Sequence, residues 1–320
     1  MQPVLALAPL ASSSLAKDRP ARRLIDAFLK GRNENTLRAY RKDLEDFARF
    51  TGTRDAEEAT EKLLRLPPGR ANELALAYRT DLVERKLQPS TVNRRLAALR
   101  AFVKLARVLG VVSWSIEIEG LDSDPYRDTR GPGTNVVRQM LAGLADRPDA
   151  KGIRDGAIVR LLHDLALRRG EIVTLDVEHV DLERKALHVM GKGKTGRLWI
   201  TMPTRTENAV RTWLDVRGSE PGALFTALDA RSFGHRLTGS AIYAIVRDLG
   251  LKLGVKTRPH GLRHTAITSA LNKTGGNTRE VQKFSRHADQ RTLGLYDDAR
   301  RDMAGEIAEM VSDLTDGSEK

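Results

Sequence analysis

Apolar residues recur along this chain mostly with the helical period. Residues 34–51 put Leu37, Tyr40, Leu44 and Phe47 on one face, with Asn35 or Thr36 as a possible cap and Gly52 as a stop. A second helix is expected over residues 72–86. The clearest pattern runs from Ser90 to Leu109. Pro89 precedes it, Val92, Leu96, Leu99, Val103 and Ala106 form one stripe, and Gly110 ends it. Residues 119–135 (EGLDSDPYRDTRGPGTN) then lose apolar periodicity and fill with Gly, Pro, Asp and Arg, as a linker does.

Helical patterns return at 135–145 and 151–167. Val177–Val180, Ala186–Met190 and Arg197–Met202 alternate or run apolar over strand lengths, and residues 191–196 (GKGKTG) supply a turn between the last two. Residues 204–217, 239–250, 261–273, 278–285 and 302–314 read as helices again. The pattern predicts a mainly α protein with a small β-sheet, in four segments. These are a flexible N-terminus (1–20), a helical domain (21–115), a linker (116–134) and an α+β domain (135–320) ending in a C-terminal helix. That last helix carries Met303, Ile307, Met310, Val311 and Leu314 as an apolar stripe on an acidic background, suited either to its own domain or to a neighbouring copy.

Composition adds a partner. Of the 320 residues 40% are hydrophobic and 30% charged, a soluble globular balance with enough apolar material for two cores. No apolar run approaches the roughly 20 residues that cross a bilayer. The apolar start, Met1 to Leu15, lacks the basic n-region of a secretory signal. The absence of cysteine excludes disulfides, thiolate metal sites and cysteine nucleophiles, and fits a cytoplasmic protein. The net charge is +12, of which residues 1–110 carry +9, whereas residues 297–320 carry −5. Such a balance points to a polyanion, nucleic acid first, because each neutralised phosphate releases counterions. Arg94, Arg95, Arg100 and Lys104, on the polar faces of the 90–109 helix, are the expected phosphate contacts.

Four clusters could carry chemistry: Arg168 with Glu171, Lys192 in its glycine-flanked turn, His260-Gly261-Leu262-Arg263-His264, and His287 followed nine residues later by Tyr296. Singly, each has a structural explanation: a helical salt bridge, a solvated turn lysine, a packed tyrosine. His260 and His264 have a metal-ligand spacing, but no glutamate follows His260 and no third ligand is evident, so no metal is expected.

Taken in order, Arg168, Lys192, His260, Arg263, His287 and Tyr296 resemble the catalytic set of the tyrosine recombinase, or phage integrase, family, including its Xer-like two-domain members. The resemblance covers the whole chain. It implies a helical, SAM-like core-binding domain followed by an α+β catalytic domain. By it, Tyr296 is the nucleophile, Arg168 and Arg263 clamp the scissile phosphate, and Lys192 is the acid for the leaving 5′-hydroxyl. His260 is the candidate base and His287 a phosphate or orienting contact. Glu171 and His264 have supporting places. The implied reaction makes a 3′-phosphotyrosine and uses no cofactor. The implied partners are double-stranded DNA with short sites, a tetramer linked through the C-terminal helix, and accessory recombination proteins. A non-catalytic DNA-binding regulator and a type IB-like topoisomerase are the alternatives. Two positions depart from the family's habit: Ala166 stands where glycine is common before Leu-Arg, and Phe284-Ser285-Arg286-His287 replaces a usual Leu-Gly-His ending.

Overall fold

The computed structural model describes residues 20–29, 34–122, 131–191, 196–287, 289–298 and 303–315. It divides into two units, Met1–Asp124 and Pro125–Lys320.

The first unit is helical: α1 (Pro20–Leu29), α2 (Glu34–Thr51), α3 (Ala56–Leu64), α4 (Pro68–Glu84) and α5 (Pro89–Val108). The apolar stripe of α5 is its core face, with Val92, Leu96, Leu99, Val103 and Ala106 all buried. Leu44 and Phe47 meet it from α2, and Phe28 of α1 sets its ring edge-on to Phe102 at 5.7 Å. Neither α1 nor α3 is evident in the apolar periodicity. Helix α3 has a capping signal instead: Asp55 accepts from the Glu58 amide at 2.9 Å. Gly52, at φ +65°, ends α2 in the left-handed region, where glycine meets no Cβ penalty. The expected linker starts inside this unit. Ile116 is buried, Trp114, Ile118 and Leu121 pack on the same core, and Asn93 exchanges two hydrogen bonds with the Leu121 backbone at 2.7 and 2.8 Å.

An ion network lies within the helices. Fully buried Asp46 accepts from Arg49 (2.6 Å), Arg85 (2.9 Å), the Tyr78 hydroxyl (2.9 Å) and Arg95. Burial pushes the Asp46 carboxyl up, but the bonds from Arg85, Arg49 and Tyr78 outweigh it and hold the group well below the usual carboxylate range. This corrects the expectation for Arg95, which is only 8% exposed and turned inward onto Asp46. A buried carboxylate claims a guanidinium more strongly than solvent does. Arg94 is exposed while bonded to Asp43, Arg100 donates to the Ile118 carbonyl at 3.1 Å, and Lys104 is exposed.

The second unit is built on α7 (Ala150–Asp164), which packs against α6 (Thr134–Ala145), α9 (Thr204–Arg217) and α11 (Pro259–Lys273). Helix α8 (Arg169–Val173) follows α7, and α10 (Gly239–Lys252), α12 (Thr278–Ser285), α13 (Arg291–Asp298) and α14 (Met303–Thr315) complete the described helices. Strands β1 (Val180–Asp181), β2 (Ala186–Met190) and β3 (Arg197–Thr201) form an antiparallel sheet in that order, with Val189 opposite Leu198. The strand expected from Val177 is mostly a 3-10 turn, because the His179 ring accepts from the Asp176 amide at 2.9 Å and closes the backbone locally. Leu187 and Val189 face the core, while exposed Trp199 stacks on His188 at 4.5 Å. Helix α7 stops three residues before the expected 167, since Ala166 takes a left-handed φ of +46°. No helix among the described residues is long and apolar enough to cross a membrane.

Candidate active site

Four chain segments of the second unit meet at one place: the turn after α7, the start of α11, the end of α12 and α13. The α7 turn delivers Arg168 to the N-cap of α8. Glu171, three residues on, accepts from the Arg168 backbone amide at 2.8 Å and from its guanidinium at 2.7 Å. A capping geometry thus also aims a side chain, and Glu171 is only 4% exposed.

Pro259 opens α11 at a position where a missing amide costs nothing. One turn later Arg263 is fully buried. Its terminal nitrogens donate to the carbonyls of Ala166 and Ser285, and Nη2 lies 3.5 Å from His287 Nε2. Its Nε finds no partner among the described residues. Burial, then the positive charges of Arg168 and Arg286, bring the Arg263 guanidinium down to about 9. Crowding of like charge in a dry place suits the binding of an anion.

The aromatic side of the site is a line of rings. His260, exposed at the first turn of α11, stands 4.1 Å from His264, and His264 stands 5.0 Å from Tyr296. His287 approaches the same phenol at 5.9 Å. Tyr296 is 3% exposed and lies with Ala166, Ala266, Ile267, Leu271, Val281 and Leu293 in a small apolar cluster. Burial pushes its hydroxyl up to about 12, against the pull of Arg263 and Arg168. Burial also takes His264 down to about 3, with His260 and Arg258 adding to it, and His287 down to about 4, with Arg263 and Arg168 adding to it. Both imidazoles are therefore neutral at pH 7. Ser285 Oγ sits 2.9 Å from His287 Nδ1, which turns Nε2 toward Arg263.

Arg168, Glu171, Arg263, His264, His287 and Tyr296 thus form one cluster, with His260 at its edge. Lys192 lies outside the described residues. Among the described residues no group of three or more His, Asp or Glu is arranged to hold a metal. Sequence reasoning passed over Ser285 and Arg286, the latter recorded only as a departure from the family's glycine. A long basic side chain in place of glycine was the available signal.

Comparison with known proteins places this chain in a wider set. The Phage integrase family model matches residues 134–302, and the Phage integrase N-terminal SAM-like domain model matches residues 25–108. A tyrosine recombinase of Synechocystis sp. is 39% identical over 88% of this chain and 92% of its own length. A tyrosine recombinase of Synechococcus elongatus is 41% identical over 88% and 90%. Among solved structures, a lambda integrase dimer bound to a COC′ core site aligns with TM-score 0.63 at 14% identity, covering 88% of this chain and 96% of that one.

Proposed function

This chain belongs to the phage integrase family, and from that premise we propose that it breaks and rejoins double-stranded DNA at short sites through a covalent bond to Tyr296. It is a tyrosine site-specific recombinase. The observation that carries the assignment of Tyr296 is the convergence of a buried phenol, two arginines and neutral imidazoles in one cluster.

Attack on a phosphodiester builds negative charge on its non-bridging oxygens, and planar guanidinium groups are suited to hold two of them. Arg168 and Arg263 take that role, each fixed from behind by carbonyls or a carboxylate. The phenol must lose its proton as the oxygen–phosphorus bond forms. His287, depressed and engaged with Ser285, is better placed to orient Arg263 than to accept a proton, and buried His264 is depressed further, which leaves His260 as the base. Lys192 protonates the departing 5′-oxygen. One phosphodiester replaces another, so the 3′-phosphotyrosine retains the bond energy and the cycle needs neither ATP nor a divalent ion. A second 5′-hydroxyl then attacks phosphorus and releases Tyr296.

Four copies assembled on DNA are proposed to exchange strands in the cytoplasm, each lending α14 to its neighbour. Support comes from Ile307, Met310 and Val311 of α14, which are 55–66% exposed. Xer-like resolution and integration or excision of a mobile element, with or without accessory proteins, both use this chemistry.

The test begins with a binding site selected by the protein from a randomised duplex library. That site is rebuilt as a nicked suicide substrate, and a covalent protein–DNA adduct is sought. The wild-type chain is expected to form it with EDTA present, and Tyr296→Phe to bind the duplex without forming it. An adduct undiminished in Tyr296→Phe would refute the nucleophile.

A further inference from the structure

We propose that Arg286 is a positioning residue for the site, a third guanidinium that holds the two phosphate-binding arginines in register. The inference rests on the recombinase reading above and adds to it a residue that stands where the family's final box often has glycine.

The backbone at Arg286 is in the left-handed region, φ +58°, as the C-cap of α12. A non-glycine residue there pays a steric cost, so a compensating role for its side chain is expected. The side chain is 13% exposed and runs into the site. Nη1 donates to the Leu165 carbonyl at 3.1 Å and the Phe284 carbonyl at 2.9 Å. Nη2 donates to the Ala166 carbonyl at 3.0 Å and Glu171 Oε2 at 3.1 Å.

These acceptors are the anchor points of the other two arginines. The Ala166 carbonyl also takes a hydrogen bond from Arg263, and Glu171 also takes one from Arg168. The Arg286 carbonyl in turn accepts from Arg168 at 3.3 Å. Arg286 therefore ties the α7 turn to the end of α12 and shares one partner with each of its neighbours. Ala166, the other left-handed residue of the site, is the point where Arg263 and Arg286 meet. A lysine could not reproduce this, since one ammonium cannot span acceptors held by a planar fork.

The decisive variant is Arg286→Gly. Glycine accepts φ +58° without strain, so the backbone keeps its path while the guanidinium is lost. The nicked duplex described above serves as the probe, with single-turnover cleavage, duplex affinity and thermal midpoint measured together. Arg286→Gly is expected to bind duplex within about twofold of wild type, yet to cleave roughly 10²-fold more slowly, the scale of an ångström's misplacement at a reacting centre. Added guanidinium ion should restore part of the rate, and Arg286→Lys should remain slow. In a Glu171→Gln background the loss from Arg286→Gly should shrink, because the two act through the same carboxylate. Cleavage by Arg286→Gly within twofold of wild type overturns the proposal. So does a parallel fall in cleavage, affinity and thermal midpoint, which marks a purely structural role. Failure of the wild-type chain to form any adduct is a separate result, and removes the recombinase reading beneath it as well.

Discussion

The buried carboxylate of the N-terminal unit allows a quantitative test. Asp46→Asn keeps the shape of the side chain and removes its charge. Arg95, nearly buried, then loses its short-range counterion and, among the described residues, keeps Asp43 at 3.9 Å, while Arg49 loses its partner at 2.6 Å and Arg85 loses one at 2.9 Å but keeps Asp81 at 3.0 Å. Arg49 is well exposed and its pair is screened, so it contributes little. The cost comes from Arg95 and from the hydrogen bond of Tyr78, and breaking a buried pair at one end typically costs about 3–5 kcal/mol. We expect Asp46→Asn to lower the stability of this unit by about 3 kcal/mol at pH 7. Hydrogen exchange resolved by peptide, on the full chain, reads it: amides of α2, α4 and α5 should lose protection together, while those of α7 and α9 keep theirs. The sign with pH is also set. The native carboxyl is held below its unfolded value, so its contribution is fully present above the unfolded pKa of about 4 and fades as pH falls below it. The two proteins should therefore converge in stability in acid. A loss under about 1 kcal/mol at pH 7, or a loss that does not shrink on acidification, would refute the account of the network.

Two further expectations concern binding and assembly. Lys104→Ala should flatten the dependence of log affinity for duplex on log salt by about 0.9, whereas Arg95→Met, at a temperature where the fold survives, should leave that slope unchanged; the reverse order would return Arg95 to the DNA surface. Replacing Ile307 and Met310 by lysine should abolish four-copy complexes on paired sites, seen by gel mobility or mass, while a single-site adduct still forms; intact tetramers would remove α14 as the link.

Much of this was legible because helices declare themselves through period. The stripe of α5 was read residue for residue, and so were the stops at Gly52 and Gly110. What escaped follows physical rules that period does not carry. Helix α3 depends on a cap, the turn at Val177–His179 on a side chain bonding to its own backbone, and the end of α7 on a left-handed alanine. Charges were the hardest to place, since Arg95 and Lys104 look alike in a string. Only a carboxylate 49 positions away in the chain pulls the first inside. In the site, order and spacing picked out Arg168, Arg263, His287 and Tyr296, which the fold brings together, whereas Lys192 lies outside the described residues. The role of Arg286 depends on which carbonyls face it, and a linear motif does not specify that.

The deep seat of Tyr296 also bears on safety. Burial raises its hydroxyl to about 12, so the phenol keeps its proton at pH 7. On the proposed mechanism, the same burial that packs the ring also holds the nucleophile back from phosphates that do not settle between Arg168 and Arg263.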